Sequence, residues 1–199
     1  MLDTAAETAL DHRPAIVICA YDADEAGWDP VEDLSGRPWS PAGARTVAVA
    51  GGEPDELART LAAHLEDRHC RALLLVGRTR RSSAFRLQLR AESRSLDGVR
   101  RLNAVGPSIA RATAPAADIV RALNEAGLAV DTSSDAEDDA GSYLLYRVLS
   151  GLPEGLDAPA VGLLRAPEQE SDEDVQRAVK AAAEAMVRHM APLTRSRAN

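Results

Sequence analysis

Two thiols, four imidazoles and two charge clusters are the groups in this 199-residue chain with the chemistry for a site. Nucleophilic catalysis by cysteine needs a thiolate, an imidazole to carry its proton and a carboxylate or amide to orient the ring. The thiols are Cys19 and Cys70; the imidazoles are His12, His64, His69 and His189. Cys19 lies inside the apolar run Pro14 to Tyr21, and Cys70 directly precedes another. Both read as inert thiols on or near a sheet. His64 and His189 fall in helical stretches, and His12 precedes the first strand. His69 neighbours Cys70, but adjacent side chains point in different directions and form no dyad by themselves. The chain has no G-x-S-x-G, no glycine-rich phosphate loop and no His/Cys pair at metal-ligand spacing. No cofactor and no metal are therefore expected. Asp135, Glu137, Asp138 and Asp139 could offer oxygens to calcium. Without the glycine and terminal glutamate of an EF-hand, they read as a solvated acidic loop. Arg78, Arg80, Arg81, Arg86 and Arg90 could hold a small anion or an acidic peptide, or could pair with the acidic loop of the same chain or of a neighbour.

Composition bounds what such groups can serve. A net charge of -8 argues against a nucleic-acid binder working by bulk charge. No apolar run approaches the ~20 residues of a membrane span. Met1 to Arg13 lacks the apolar stretch of a signal peptide, so a reducing cytoplasm is the expected setting. Aromatic residues make up 3%, with Phe85 the sole phenylalanine, so an aromatic-lined pocket would have few residues to draw on.

The elements that must position these groups alternate between strand and helix. Pro14–Tyr21, Arg45–Ala50, Arg71–Val76 and Ala160–Leu164 are short, nearly continuous apolar runs, which suits strands buried on both faces. Gly77 is read as closing the third. Phe85, Leu87 and Leu89 alternate with polar residues, as in a half-exposed strand. Leu128 to Asp131 is a further short strand. Pro54–Arg68, Pro115–Ala126, Ser142–Ser150 and Ser171–Met190 have helical spacing. Ser171 and Asp174 approximate a capping box, and Gly127 suits a helix C-terminus. Ser93 to Val105 is irregular and arginine-rich. This order predicts one α/β domain over 1–199, with a core of about 14–190 and flexible ends at 1–13 and 191–199.

Three segments, in order, resemble the pyroglutamyl peptidase I family, the pyrrolidone-carboxylate peptidases. Ala122 to Gly127 (ALNEAG), then Ala140 to Leu145 (AGSYLL), is similar to the family's ALxxAG helix end and AGTYLCN, which carries the nucleophilic cysteine. Pro167-Glu168-Gln169 after an apolar strand is similar to HVPYLPEQ. Gly77 to Gln88 spans the family's distance from a strand-ending glycine to its catalytic glutamate. Weaker echoes are Ala20-Tyr21-Asp22 with Asp29-Pro30, and Gly106-Pro107. The resemblance implies a three-layer α/β/α sandwich on a mixed, largely parallel sheet. It also implies hydrolysis of an N-terminal pyroglutamyl bond, and a tendency to self-associate.

Carried over residue by residue, the resemblance places the cysteine on Leu145, the histidine on Gly162 and the glutamate on Gln88. Leucine has no nucleophilic atom, glycine no proton-transfer group, and glutamine no charge. The phenylalanine positions of GFEPFGG fall on Tyr21 and Asp24, and the glutamine after the strand-ending glycine falls on Arg78. An unpaired aspartate where an apolar ring should pack would be costly. The stretch from Ser93 to Gly106 is shorter than the family pattern, and none of Arg94, Arg100 or Arg101 is assigned to its oxyanion arginine. Ser142 stands where the family carries threonine or serine, which suits a capping role.

Three readings follow. One is a relative without the triad, acting as a binding or assembly module with Tyr21, Asp24, Arg78 and Gln88 as ligand-binding candidates. Another is a diverged hydrolase that uses Asp24, Arg78 and the other arginines on pyroglutamyl or related peptides. The third is an oligomerising subunit.

Overall fold

A computed structural model describes residues 11–22, 39–96, 107–152, 155 and 158–190. Strand β1 (Ala15–Ala20) is apolar and buried at every position because both its edges and both its faces are covered. β2 (Arg45–Val49) runs parallel along one edge of it and β3 (Cys70–Thr79) along the other. β8 (Ala160–Pro167) adds in parallel to β3, β4 (Phe85–Gln88) adds antiparallel to β8, and β7 (Val130–Ser133) runs parallel to β4. The sheet order is thus β2-β1-β3-β8-β4-β7. This is the mixed, largely parallel sheet expected from the sequence.

Helices cover both faces. α1 (Pro54–Glu66) and α3 (Ala140–Ser150) pack on one side, over Val17, Cys19, Leu73, Leu75, Val161 and Leu163. α2 (Ala116–Glu125) and α4 (Asp172–Arg188) pack on the other, over Ile16, Ile18, Leu74, Leu87, Leu164 and Ala166. The alternation of these two sets along each strand is the pleat of the sheet. It settles which side chains can meet across β8. Full burial of a leucine or isoleucine in these layers contributes about 1.5–3 kcal/mol. A two-stranded antiparallel ribbon, β5 (Arg90–Glu92) with β6 (Ile109–Arg111), lies against α3.

Local chemistry fixes the helix ends. Pro54 begins α1, with Asp55 and Glu56 in its first turn. The Ser171 hydroxyl accepts from the Asp174 N–H at 3.1 Å, and the Asp139 carboxylate accepts from the Ser142 N–H at 2.9 Å. Gly127, at φ 78°, lets the Leu128 N–H return to the Leu123 carbonyl at 2.9 Å and closes α2.

Several elements differ from their sequence-based bounds: β8 continues past Leu164 to Pro167, and β7 lies at Val130–Ser133 where Leu128 to Asp131 was expected. β3 runs through Gly77 to Thr79 because β8 continues beside it, pairing Gly77 with Arg165 and Thr79 with Pro167. β4 is enclosed, not half-exposed: β8 and β7 flank it, and Phe85, Leu87 and Gln88 are all buried. α3 starts two residues early, at Ala140, because Asp139 caps it. Residues 1–10 and 191–199, expected to be flexible, lie outside the described residues. No helix among the described residues is long and apolar enough to cross a membrane.

Candidate functional site

β8 alternates Val161, Leu163, Arg165 toward the α3 side of the sheet. The arginine therefore enters a layer otherwise made of leucine, valine and tyrosine, and it has no exposed surface. A buried guanidinium is tolerated only when its charge is paired and its N–H groups are bonded. Here the chain supplies every partner. Nε and Nη2 of Arg165 each donate to Gln88 Oε1 at 3.1 Å. Nη2 also donates to Ser142 Oγ at 3.0 Å and to Asp139 Oδ1 at 2.8 Å. Nη1 donates to Asp139 Oδ2 and, at 3.1 Å, to the Tyr21 hydroxyl. The two-pronged pairing with Asp139 is the fork geometry that favours arginine over lysine.

The ion pair acts on both partners. Burial raises the Asp139 carboxyl, but hydrogen bonds from Arg165 and from the Ser142 N–H outweigh it and hold the group below the usual aspartate value. Burial likewise works against the Arg165 cation, and Asp139 overrides it, so the guanidinium stays charged. Burial raises the Tyr21 phenol, which remains neutral.

Gln88 suits this cluster better than a glutamate would. Its Nε2 donates to the Arg90 carbonyl at 2.8 Å and to Ser142 Oγ at 3.1 Å, while its Oε1 receives Arg165. A carboxylate there would set an oxygen against the Arg90 carbonyl. Ser142 Oγ also accepts from the Glu137 N–H at 3.0 Å, which draws the acidic loop down onto the cluster. The Glu137 carboxylate then accepts from Thr79 Oγ1 at 2.9 and 3.0 Å. It lies 3.7 Å from Arg165 Nε and 4.0 Å from Arg86 Nη1. The remaining hollow beside Ser142 and Tyr143 measures about 10 Å³, which is room for one water at most.

The residues singled out from the sequence divide between the two faces. Gln88, Leu145 and Tyr21 lie on the α3 side; Leu145 is fully buried among apolar neighbours. Gly162 does not join them. A Cβ on Gly162 would sit 2.9 Å from the Ala114 Cβ and 4.0 Å from Leu87 Cδ1, on the α2/α4 side. The expected convergence of Gly162 with Gln88 and Leu145 is thereby corrected: strand alternation turns it to the opposite face, and Arg165 is the β8 residue that meets Gln88. Arg78 reaches toward the start of α4. Its Nη1 donates to the carbonyls of Pro167, Glu168 and Glu170 at 3.3, 3.1 and 2.8 Å, and its Nη2 pairs with Asp172 at 2.6 Å. It braces the turn into α4. Asp24 lies outside the described residues.

The other arginines mostly pair with acids of the same chain. Arg80 bonds Glu168 at 2.7 Å, and Arg94 bonds Asp138 at 3.0 Å and Glu92 at 2.8 Å. Arg90 reaches the Ser134 carbonyl and lies 3.7 Å from Glu92. Glu137 and Asp139 of the acidic loop therefore fold against the basic cluster, while Asp135 and Asp138 stay exposed to solvent. Both thiols are buried, and burial pushes Cys19 up to about 12 and Cys70 up to about 11, far from thiolate formation at neutral pH. Among the described residues, no group of three or more His, Cys, Asp or Glu side chains is placed to hold a metal ion. Sequence reasoning missed Arg165, Thr79 and the inward role of Glu137. The available signal was the arginine of Leu163-Leu164-Arg165-Ala166-Pro167, a lone charge in an apolar strand.

Strand order and two-sided helix cover define an α/β/α sandwich. Solved structures of pyroglutamyl and pyrrolidone carboxyl peptidases share this fold. Pyroglutamyl peptidase I from Bacillus amyloliquefaciens matches with a TM-score of 0.71 at 15% identity, covering 89% of this chain and 96% of that one. Pyrrolidone carboxyl peptidase from Thermus thermophilus matches at 0.62 and 20% identity, covering 86% and 99%. The enzyme from Thermococcus litoralis matches at 0.67 and 14% identity, covering 88% and 94%. No protein-family model matches the chain. No curated protein sequence matches it significantly.

Proposed function

We propose that this chain is a relative of the pyroglutamyl peptidases in which an ion-pair cluster replaces the catalytic site, and that it works as a non-catalytic binding or assembly module. The observation that carries the reading is Arg165. The alignment of Pro167 with the second proline of HVPYLPEQ puts the histidine on Gly162, which faces away; moving Pro167 to the first proline, of HVP, puts it on Arg165, whose side chain bonds Gln88. A guanidinium held charged by Asp139 accepts no proton and so cannot serve as a general base. The nucleophile position, Leu145, carries no nucleophilic atom, and Gln88 carries no charge to orient an imidazole. Asp139, Glu137, Gln88 and Ser142 are committed to Arg165 or to one another, and the hollow beside Ser142 and Tyr143 is too small for a pyroglutamyl residue; the cavity of about 460 Å³ among the described residues lies outside the cluster, along Thr79, Ser82, Pro167 and Glu168. A rearranged hydrolase would need arginines free to bind substrate, whereas Arg78 and Arg80 hold the turn before α4.

Purified protein incubated with a fluorogenic pyroglutamyl amide tests this reading. Fluorophore release at the buffer rate is expected. Loss of nucleophile and base costs on the order of 10⁶ in turnover in a triad enzyme. Sustained release above buffer, abolished by a thiol alkylator, would sink the reading.

A further inference from the structure

The donors that surround Glu137 outnumber what Glu137 uses. Thr79 Oγ1 donates to its carboxylate, Arg86 Nη1 stands 4.0 Å away, beyond a good hydrogen bond, and Arg165 Nε, already bonded to Gln88 Oε1, adds only its charge from 3.7 Å. Arg86 Nε is buried and has no hydrogen-bond partner at all. Buried donors left unbonded are rare in native proteins, and each calls for an explanation. The Glu137 side chain is itself only 10% exposed, and the Arg165 beneath it has no exposed surface. A hydroxyl and two guanidinium groups thus converge on one carboxylate, which hangs from a loop and reaches them imperfectly.

We propose that Thr79 and Arg86, with the charge of Arg165 beneath them, form a carboxylate-binding site, that Glu137 occupies it in cis, and that a small aliphatic carboxylate takes its place when the Glu137 side chain turns out, Asp139 staying on Arg165. The proposal deepens the non-catalytic reading, since it assigns a ligand class to the same cleft. A free ligand can move closer to the Arg86 guanidinium than Glu137 does, because Glu137 is held back by its main chain, whose N–H is bonded to Ser142. A carboxylate suits the site because paired guanidinium donors bind planar anions in a fork. Occupation in cis also sets the affinity of the natural protein. The ligand must displace a tethered competitor at high effective concentration, so its apparent affinity falls by the fraction of chains with the Glu137 side chain turned out.

Glu137→Ala removes the tethered carboxylate and leaves a gap of that shape. Titration calorimetry and thermal melts with propionate, propionamide and inorganic phosphate are compared for wild type, E137A and E137A/R86Q. Propionate should bind E137A at least tenfold more tightly than wild type and raise its Tm saturably. Propionamide should do neither, and R86Q should weaken propionate binding at least tenfold. Equal weak binding to E137A and wild type would overturn the proposal. So would equal effects of propionate and propionamide, phosphate binding as tightly as propionate, or indifference to R86Q. If E137A does not fold alone, recovery of folded protein on refolding is read instead. Recovery with propionate but not propionamide supports the site, and no recovery with either overturns it. The same samples are assayed with the pyroglutamyl amide. Turnover there would sink the non-catalytic reading alone, and absent binding without turnover would sink the carboxylate site alone.

Discussion

A guanidinium with no exposed surface is costly for a fold to hold, and removing one partner of such a pair typically costs 3–5 kcal/mol. Arg165 is kept charged by Asp139, and that pairing leaves a trace in the pH dependence of stability. The Asp139 carboxyl titrates below its unfolded value of about 3.9, so its stabilising contribution is complete above that pH. The contribution is lost as pH falls through the lower folded value. Asp22 runs the other way: burial raises its carboxyl, so its contribution is largest in acid and fades as pH rises through its folded value. Comparing Asp139→Asn with the unmodified chain cancels the Asp22 effect. Urea denaturation between pH 2 and 7 should show D139N less stable at neutral pH and flatter below about pH 4. Parallel acid limbs for the two proteins would show that Asp139 carries no charge coupling. Gly162 makes a second residue-scale prediction. An added methyl would press on Ala114, in a packed layer where overpacking costs about 1–3 kcal/mol. Gly162→Ala should lower the urea midpoint accordingly. No change would mean that the α2/α4 face is looser than its contacts indicate.

At the scale of elements, the start of α3 is held by a ring between two glycines. A Cβ on Gly77 would meet the Tyr21 ring at 2.1 Å, and a Cβ on Gly141 would meet the Tyr21 hydroxyl at 2.4 Å. Tyr21 also accepts from Arg165, so β1, β3, β8 and α3 meet at this point. Gly141→Ala and Tyr21→Ala should therefore be non-additive, with a coupling of about 0.5–3 kcal/mol in a double-mutant cycle read by denaturant melts. Simple additivity would mean that the ring moves aside freely. The order of strands and helices was legible because hydrophobic period and capping residues act locally: Ser171, Gly127 and the apolar run Ala15–Ala20 behave as their types dictate. The face of each β8 residue was not legible. Counting back from Pro167-Glu168-Gln169 gave Gly162, and only the pleat, set by pairing with β3 and β4, turns that residue away and Arg165 inward. Nor does sequence reveal that Glu137 reaches back to Thr79, a contact 58 residues away along the chain.

For the molecule as a whole, fold and site place separate demands on sequence. The sheet and both helix layers match peptidase structures over nearly their full length, while the cleft between Gln88 and α3 is filled by charges that belong to the chain itself. The measurement that tests this most directly is a restoration. Leu145→Cys, Gln88→Glu and Arg165→His are combined in one protein, and release of a fluorophore from a pyroglutamyl amide is followed beside the unmodified chain. The unmodified chain should release fluorophore at the buffer rate, with and without a thiol alkylator. The triple variant should stay within about tenfold of buffer, because Glu137, held by Thr79 and by its N–H on Ser142, still lies across the cleft and keeps substrate from the positioning that catalysis needs. Alkylator-sensitive turnover by the unmodified chain would contradict the account and identify Cys19 or Cys70 as a working nucleophile.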